Sequence, residues 1–347
     1  MAATPLRLSV LDLAPVASGA SVGDALHRSI ALAQRAEKLG FHRYWVAEHH
    51  NMPGIASSSP AVLIAHLAMA TSTMRLGSGG VMLPNHAPLA IAEQFGMLEA
   101  LHPGRIDLGL GRAPGTDQRT ARALRGAGRL AESDDFLARF GELLAFFRGS
   151  FPADHPFAGI TAVPGAGNKP SIWLLGSSDF GAQVAGQLGL PYSFAHHFGM
   201  GGTAMALDQY RRAFRPSETL AEPYCMIGVP VVCADTEAHA RYLAGASALS
   251  FLKMRQGQPS TMPTAEEAAR YPYTAAERAF IDQRLAAAVI GPPELVRTEL
   301  DRLVAEHGVD ELMVTTSMHA HDDRVRSFEL VADACALARS PLEATRT

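Results

Sequence analysis

Short apolar runs alternate with longer amphipathic stretches along the whole chain. Residues 6–12, 41–47, 74–83, 105–111, 172–175, 191–195, 225–233 and 311–316 read as strands, being short, rich in branched or aromatic side chains and bounded by turn formers. Between them, apolar or alanine positions recur at helical spacing over 22–39, 60–72, 88–101, a long polar region ending near 148, 180–188, 203–214 and 236–254. The same spacing continues over 275–289, 293–306 and 324–338. Gly40 stands where the first helix should stop, and Ser59-Pro60 pairs an N-cap with a proline at the first helical position. Eight strands, each followed by helix, predict an α/β chain whose parallel sheet closes as a (β/α)8 TIM barrel. No composition shift marks a boundary, so residues 1–347 are expected to form one domain. Residues 255–273, interrupted by Gly257, Pro259, Pro263 and Pro272, show no element. A plain connection is rarely that long, which predicts an inserted mobile lid or binding loop near the C-terminal face of the barrel.

Composition narrows the function classes. At 347 residues the length admits two modest domains or one large barrel, and 48% hydrophobic against 18% charged residues excludes a disordered chain. Lys+Arg (30) against Asp+Glu (34) gives a net charge of −4, without the basic balance a nucleic-acid partner requires. Cys225, Cys233 and Cys335 have no metal or redox spacing and are expected to be buried thiols in a reducing compartment. The N-terminus shows no basic segment followed by an apolar run. The longest uncharged stretch, 51–74, is broken by Pro53 and Pro60, so a cytoplasmic location without a membrane span is expected.

The active site of such a barrel lies at the C-terminal ends of its strands. His49, His50, His86, His196, His197, His319 and His321 all fall just past such an end. Glu48-His49-His50 combines proton transfer near neutral pH with a carboxylate able to fix a tautomer, and only one histidine of each adjacent pair should reach the cavity. A hydrogen-bonded pair closing the barrel top explains that cluster equally well. For an anion, Arg112 ends the fourth strand with a permanent charge after Gly109 and Gly111. Gly176-Ser177-Ser178-Asp179 opens a helix N-terminus after the fifth. Taken alone, that turn reads more simply as an ordinary N-cap. Gly79-Gly80 would admit a flat ring against the backbone, or a bend at the barrel rim. Gly109–Gly115 has the wrong spacing for a dinucleotide fingerprint. His319-Ala320-His321 lacks a matching His-x-His after the first strand, so no metal is expected.

The segments WVAEHHNMPGIASSSP (45–60), GSGGVMLPNHAPLAIAEQ (77–94) and HPGRIDLGLGRAPGTD (102–117) resemble, in order, spacing and position, the bacterial luciferase-like flavin monooxygenases. The resemblance implies a barrel that uses reduced FMN and O2 to oxygenate a small organic substrate, the FMN being reduced by a separate NAD(P)H:flavin reductase. It makes His49 the acid/base near the flavin, supported by Glu48 and His50, and Arg112, Gly176, Ser177 and Ser178 the phosphate site. It also places a non-prolyl cis peptide at Gly79-Gly80 beside the flavin ring, and leaves His86, His196 and His197 for the substrate side. Gly111, His196 and Gly181 replace a reactive cysteine, a tryptophan and a threonine of luciferase, which argues against long-chain aldehyde chemistry and light emission. Helices 60–72 and 88–101 are apolar on more than one face, which together with the resemblance predicts a homodimer packed through them. The competing readings are a flavin-binding protein without turnover, a deazaflavin (F420)-dependent reductase on the same barrel, and a metal-dependent barrel hydrolase.

Overall fold

The computed structural model describes residues 6–126, 135–198 and 201–339. Its strands are β1 (Leu8–Asp12), β2 (Arg43–Val46), β3 (Arg75–Met82), β4 (Ile106–Gly111), β5 (Ser171–Gly176), β6 (Tyr192–Phe194), β7 (Cys225–Cys233), β8 (Val289–Gly291) and β9 (Glu311–Thr315). All pairings are parallel. The order β6-β5-β4-β3-β2-β1-β9-β7, with β6 also paired to β7, closes a ring of eight strands. Closure gives each of the eight ring strands a partner on both sides, and the helices outside bury the other face, so the strands read as near-continuous apolar runs.

The helices follow from local signals. Helix α1 (Val22–Leu39) starts at a Ser21/Asp24 capping box and ends on Gly40 at φ 87°, where a Cβ would stand 2.2 Å from the Ala338 carbonyl. Helices α2 (Pro60–Ala70) and α3 (Pro88–Leu101) each begin with proline. The polar region after β4 contains α4 (Gln118–Arg125) and α5 (Phe136–Arg148), and its part at 127–134 lies outside the described residues. There follow α6 (Asp179–Gln187), α7 (Thr203–Ala213), α8 (Glu237–Arg255), α9 (Ala265–Arg270), α10 (Ala275–Ala286), α11 (Pro293–His307) and α12 (His321–Ala334). No described helix is long and apolar enough to cross a membrane. The three cysteines are free and buried.

Two expectations need correction. The helix expected over 275–289 stops at Ala286, and Val289–Gly291 forms the extra strand β8 on the outer end of β7, at Val231–Cys233. β7 is longer than its neighbour β6 and leaves that end for β8 to pair. The segment 255–273 is not free of structure either. Helix α9 lies within it on a Thr264/Glu267 capping box, and buried Met262 exchanges backbone hydrogen bonds with the loop after β1, to Val16 O (2.8 Å) and from Ser18 N (2.9 Å). Prolines break the helical pattern without preventing docking.

Inside the ring the side chains are layered. The floor is ionic. Buried Arg43 reaches Asp107 at 2.7 Å and Glu311 at 2.8 Å, and Arg75 reaches Asp107 at 2.5 Å. Trp45 Nε1 (2.9 Å) and Tyr224 Oη (2.8 Å) donate to Asp107 and Glu311 respectively, as does Ser9 Oγ to Glu311. Burial alone would raise the Asp107 carboxyl, but Arg43 and Arg75 hold it below the usual carboxylate range. Above this floor lie Leu11, Trp45, Trp173, Met226 and Met313, with the two indoles edge to face at 5.2 Å. A filled floor leaves room for chemistry only at the mouth.

Removing one member of a buried pair strands its partners, which costs about 3–5 kcal/mol. Asp107→Ala should therefore lower the unfolding free energy in urea by that amount. Asp208→Ala, which breaks the exposed Arg212–Asp208 pair, should cost less than about 1 kcal/mol. Equal effects would show that the floor is not what holds the ring.

Candidate functional site

At the mouth the chain leaves β2 through Ala47 and Glu48. Ala47 N donates to Asp12 O (3.1 Å), His49 N to Ser57 O (3.0 Å) and His50 N to Gly115 O (3.3 Å), fastening this turn to the end of β1, to its own loop and to the loop after β4. Glu48 is fully buried and acts as a hub. It accepts from His50 Nε2 (3.0 Å), His86 Nε2 (2.9 Å), Met82 N (3.1 Å) and Asn85 Nδ2 (3.3 Å). Burial pushes its carboxyl up, but the donors from His86, His50 and Met82 outweigh burial, so it sits below the ordinary value and stays ionised. His50 and His86 are thus bound to one carboxylate, while His49 turns the other way.

His49 Nδ1 lies 3.3 Å from Gly115 O, and since a carbonyl can only accept, this nitrogen donates. Nε2 is then left as the acceptor. Burial lowers the His49 pKa, keeping the ring neutral near pH 7. His197 follows β6, four places round the ring from β2 and hence across the mouth. It lies against Gly228 of β7, where a Cβ would stand 2.3 Å from its Nδ1. Burial, then the Arg284 charge, brings His197 down to about 4. His196 faces elsewhere. Its Nδ1 meets Thr203 Oγ1 of α7 at 2.8 Å, and its ring lies 5.6 Å from His307 of α11. The two adjacent histidines lie on a 3-10 turn past the end of β6, which gives them different surroundings.

On the β4–β5 side, exposed Arg112 makes no hydrogen bond or ion pair among the described residues, and its guanidinium stacks 4.4 Å over Phe180 of α6. Ser178 is the N-cap residue of α6 but makes no side-chain cap bond, which disposes of the ordinary-cap reading. Its carbonyl instead accepts from Tyr192 Oη (3.2 Å). Ser177 and Ser178 are exposed, and a Cβ at Gly176 would meet Tyr192 Oη at 3.0 Å. A guanidinium, free hydroxyls and a helix N-terminus therefore stand together, a fitting cradle for a phosphate.

The Gly79–Gly80 peptide is cis, as the resemblance implied, and the register with β4 shifts between Gly79 and Val81. A Cβ at Gly79 would stand 2.8 Å from Leu11, and one at Gly80 2.8 Å from Gly109 O, so neither position accepts a side chain. His319 Nε2 is 3.1 Å from Ser18 O. Among the described residues no group of three or more His, Cys, Asp or Glu is arranged to hold a metal.

The family model for luciferase-like monooxygenases matches residues 6–311. The chain belongs to this family. A luciferase-like monooxygenase of Escherichia coli K12 is 45% identical over 328 residues, covering 94% of this chain and 96% of that protein. The N-acetyl-S-alkylcysteine monooxygenase of Bacillus subtilis is 35% identical over 337 residues, covering 96% and 99%. The crystal structure of apo-MsnO8 superposes with TM-score 0.86 at 38% identity, covering 96% of this chain and all of that one. The protein is accordingly an oxidoreductase of the flavin-dependent monooxygenase type, built on the (β/α)8 barrel of the family.

Sequence reasoning overlooked Asn85 and Arg284. Asn85 Nδ2 also donates to Pro114 O (2.9 Å), and its Oδ1 accepts from Arg125 (3.0 Å). Arg284 comes from α10, far from any strand end in the sequence, and no local pattern marks it.

Because folded His197 titrates at about 4 against an ordinary 6.5, the unfolded chain alone takes up its proton as pH falls through that window. Its contribution to stability is complete above pH 6.5 and is lost towards pH 4, to a limit of about 3 kcal/mol. Urea unfolding from pH 7 to 4 should show a shallower loss in His197→Asn than in the native protein. Parallel curves would contradict the half-buried, neutral imidazole.

Proposed function

We propose that the protein is a monooxygenase that uses reduced FMN and O2 to oxygenate a small organic substrate, with the FMN reduced by a separate NAD(P)H:flavin reductase. The observation that carries this reading is the uncommitted Arg112 guanidinium beside the α6 N-terminus and the free Ser178 hydroxyl, on the same rim as His49. Bound there, FMN would supply the electrons and the oxygen-activating chemistry. Arg112, Ser177, Ser178 and the Gly176 turn would hold its phosphate, and its ring would lie by the Gly79–Gly80 backbone. His49, neutral and with Nε2 unprotonated, would accept and return a proton at that atom. Glu48 orients His50 and His86 rather than touching the reacting atoms. The relative named for N-acetyl-S-alkylcysteines makes thioethers the first substrate class to try. Residues 255–273 would cover the bound substrate, moving against the Met262 contacts to the loop after β1.

Substrate-stimulated O2 uptake should require reduced FMN. His49→Ala should lower the turnover rate about 100-fold or more while FMN affinity stays the same. Arg112→Gln should weaken FMN binding at least tenfold with little change in turnover at saturating flavin. An Arg112→Gln variant that binds FMN like the native protein, or F420 bound in preference to FMN, would overturn the reading.

Helices α2 and α3 leave Val62 (61%), Met69 (81%), Met97 (53%) and Leu101 (67%) exposed, a concentration of apolar side chains unusual for a free surface. They would form the interface of a homodimer. Sedimentation at micromolar concentration should show a dimer, and Met69→Glu with Leu101→Glu should convert it to monomer. A native monomer would dismiss this interface.

A further inference from the structure

Arg284 is the charge the proposed mechanism leaves unused. The buried arginines Arg43 and Arg324, and the partly buried Arg75 and Arg139, each hold a carboxylate, and the partly buried Arg105 and Arg125 donate to backbone, hydroxyl or amide oxygens. Arg284 is drawn into the protein with neither among the described residues. Its guanidinium lies 3.6 Å from the Phe251 ring centroid, and Phe251 stacks on Phe280 at 6.1 Å and 7°. Arg255 covers the second ring at 5.1 Å. This column of α8 and α10 side chains gives the Arg284 guanidinium an aromatic support but no acceptor among the described residues. Burial lowers its pKa, and no carboxylate among the described residues offsets that. Its helix α10 runs into β8, which pairs with Val231–Cys233 at the C-terminal end of β7, the strand whose Gly228 lies against His197 at the mouth. His197 is neutral and so brings no second charge, and Phe198, 47% exposed, sets its ring 4.4 Å from the imidazole. Among the described residues neither Arg112 nor Arg284 meets a carboxylate. Arg112 serves the β4–β5 sector with its helix N-terminus and hydroxyls. Arg284 serves the β6–β7 sector, beside apolar and aromatic surface and without such donors.

The geometry points to Arg284 as the recognition point for a carboxylate on the organic substrate, with Phe198 flanking the apolar part next to that carboxylate. This deepens the monooxygenase reading and rests on it for the word substrate. The binding itself can be tested separately. A half-buried guanidinium held by ring faces keeps its N–H edge available, and a planar carboxylate satisfies that edge bidentately. A neutral substrate would leave the charge unpaired in a partly dry site, which is the usual source of discrimination between acids and their neutral analogues.

The test uses phenylacetate and its uncharged analogue phenylacetamide, titrated calorimetrically into the FMN-loaded protein and into the protein alone. Phenylacetate should bind the native protein at least tenfold more tightly than phenylacetamide. Arg284→Gln should abolish that preference without changing phenylacetamide or FMN affinity, and Arg284→Lys should retain part of it. Equal affinity for the two probes, or a preference that survives in Arg284→Gln, would overturn the proposal. So would weaker FMN binding in Arg284→Gln, since the arginine would then serve the flavin. If FMN does not bind at all, the monooxygenase reading fails, while the probe titrations on the protein alone still decide the role of Arg284.

Discussion

A parallel ring of eight strands has to fill its own interior, and that constraint governs everything else in this molecule. Here the lower part is filled by charge. Arg43 and Arg75 are set against Asp107 and Glu311, four residues from strands far apart in the chain, each supplying what the others need. Such a network contributes modest net stability, because desolvation offsets most of the attraction. Its larger effect is on register. A slip of one residue in β2 or β4 would turn Arg43 or Asp107 outward into the apolar helical layer. The indoles of Trp45 and Trp173 seal the layer above, so a ligand can reach only the mouth.

At the mouth the same logic is repeated on a smaller scale around Glu48. One buried carboxylate gathers donors from the ends of β2 and β3 and from the short turn beyond β3, and through Asn85 it is linked to the loop after β4. Two histidines are thereby held on the carboxylate through Nε2, while His49 turns away from it with Nδ1 on Gly115 O. The three adjacent residues Glu48, His49 and His50 thus have distinct surroundings, which their order in the chain does not show.

Two arginines at this rim illustrate how exposure changes the meaning of a charge. Arg112, in the open beside a helix N-terminus, costs little to keep unpaired and suits a phosphate that brings its own hydration. Arg284, half-buried on Phe251, is held where water compensates it less well, and its lack of a carboxylate is correspondingly more informative. The exposed apolar side chains of α2 and α3 make a parallel case on the outer surface.

Much of this was legible from the residues. The alternation of apolar runs with helical spacing is a local property of the chain, so the barrel class, most of its strands and the Gly40 and proline boundaries could be read directly. The motif spacing around Glu48-His49-His50, Gly79-Gly80 and Arg112 carried the family. What stayed hidden depends on contacts between distant segments. β8 exists because the end of β7 has an open edge to pair. Met262 is pinned by Val16 and Ser18, some 245 residues away by the numbering. His196 and His197 are neighbours in the chain, yet one meets α7 and the other the barrel mouth. Arg284 gains its interest only from the absence of a carboxylate around it, and no sequence pattern records what a side chain fails to meet. Hydrophobic periodicity determines which elements form. Only the closed ring decides which charges are paired, which are buried and which are left facing a ligand.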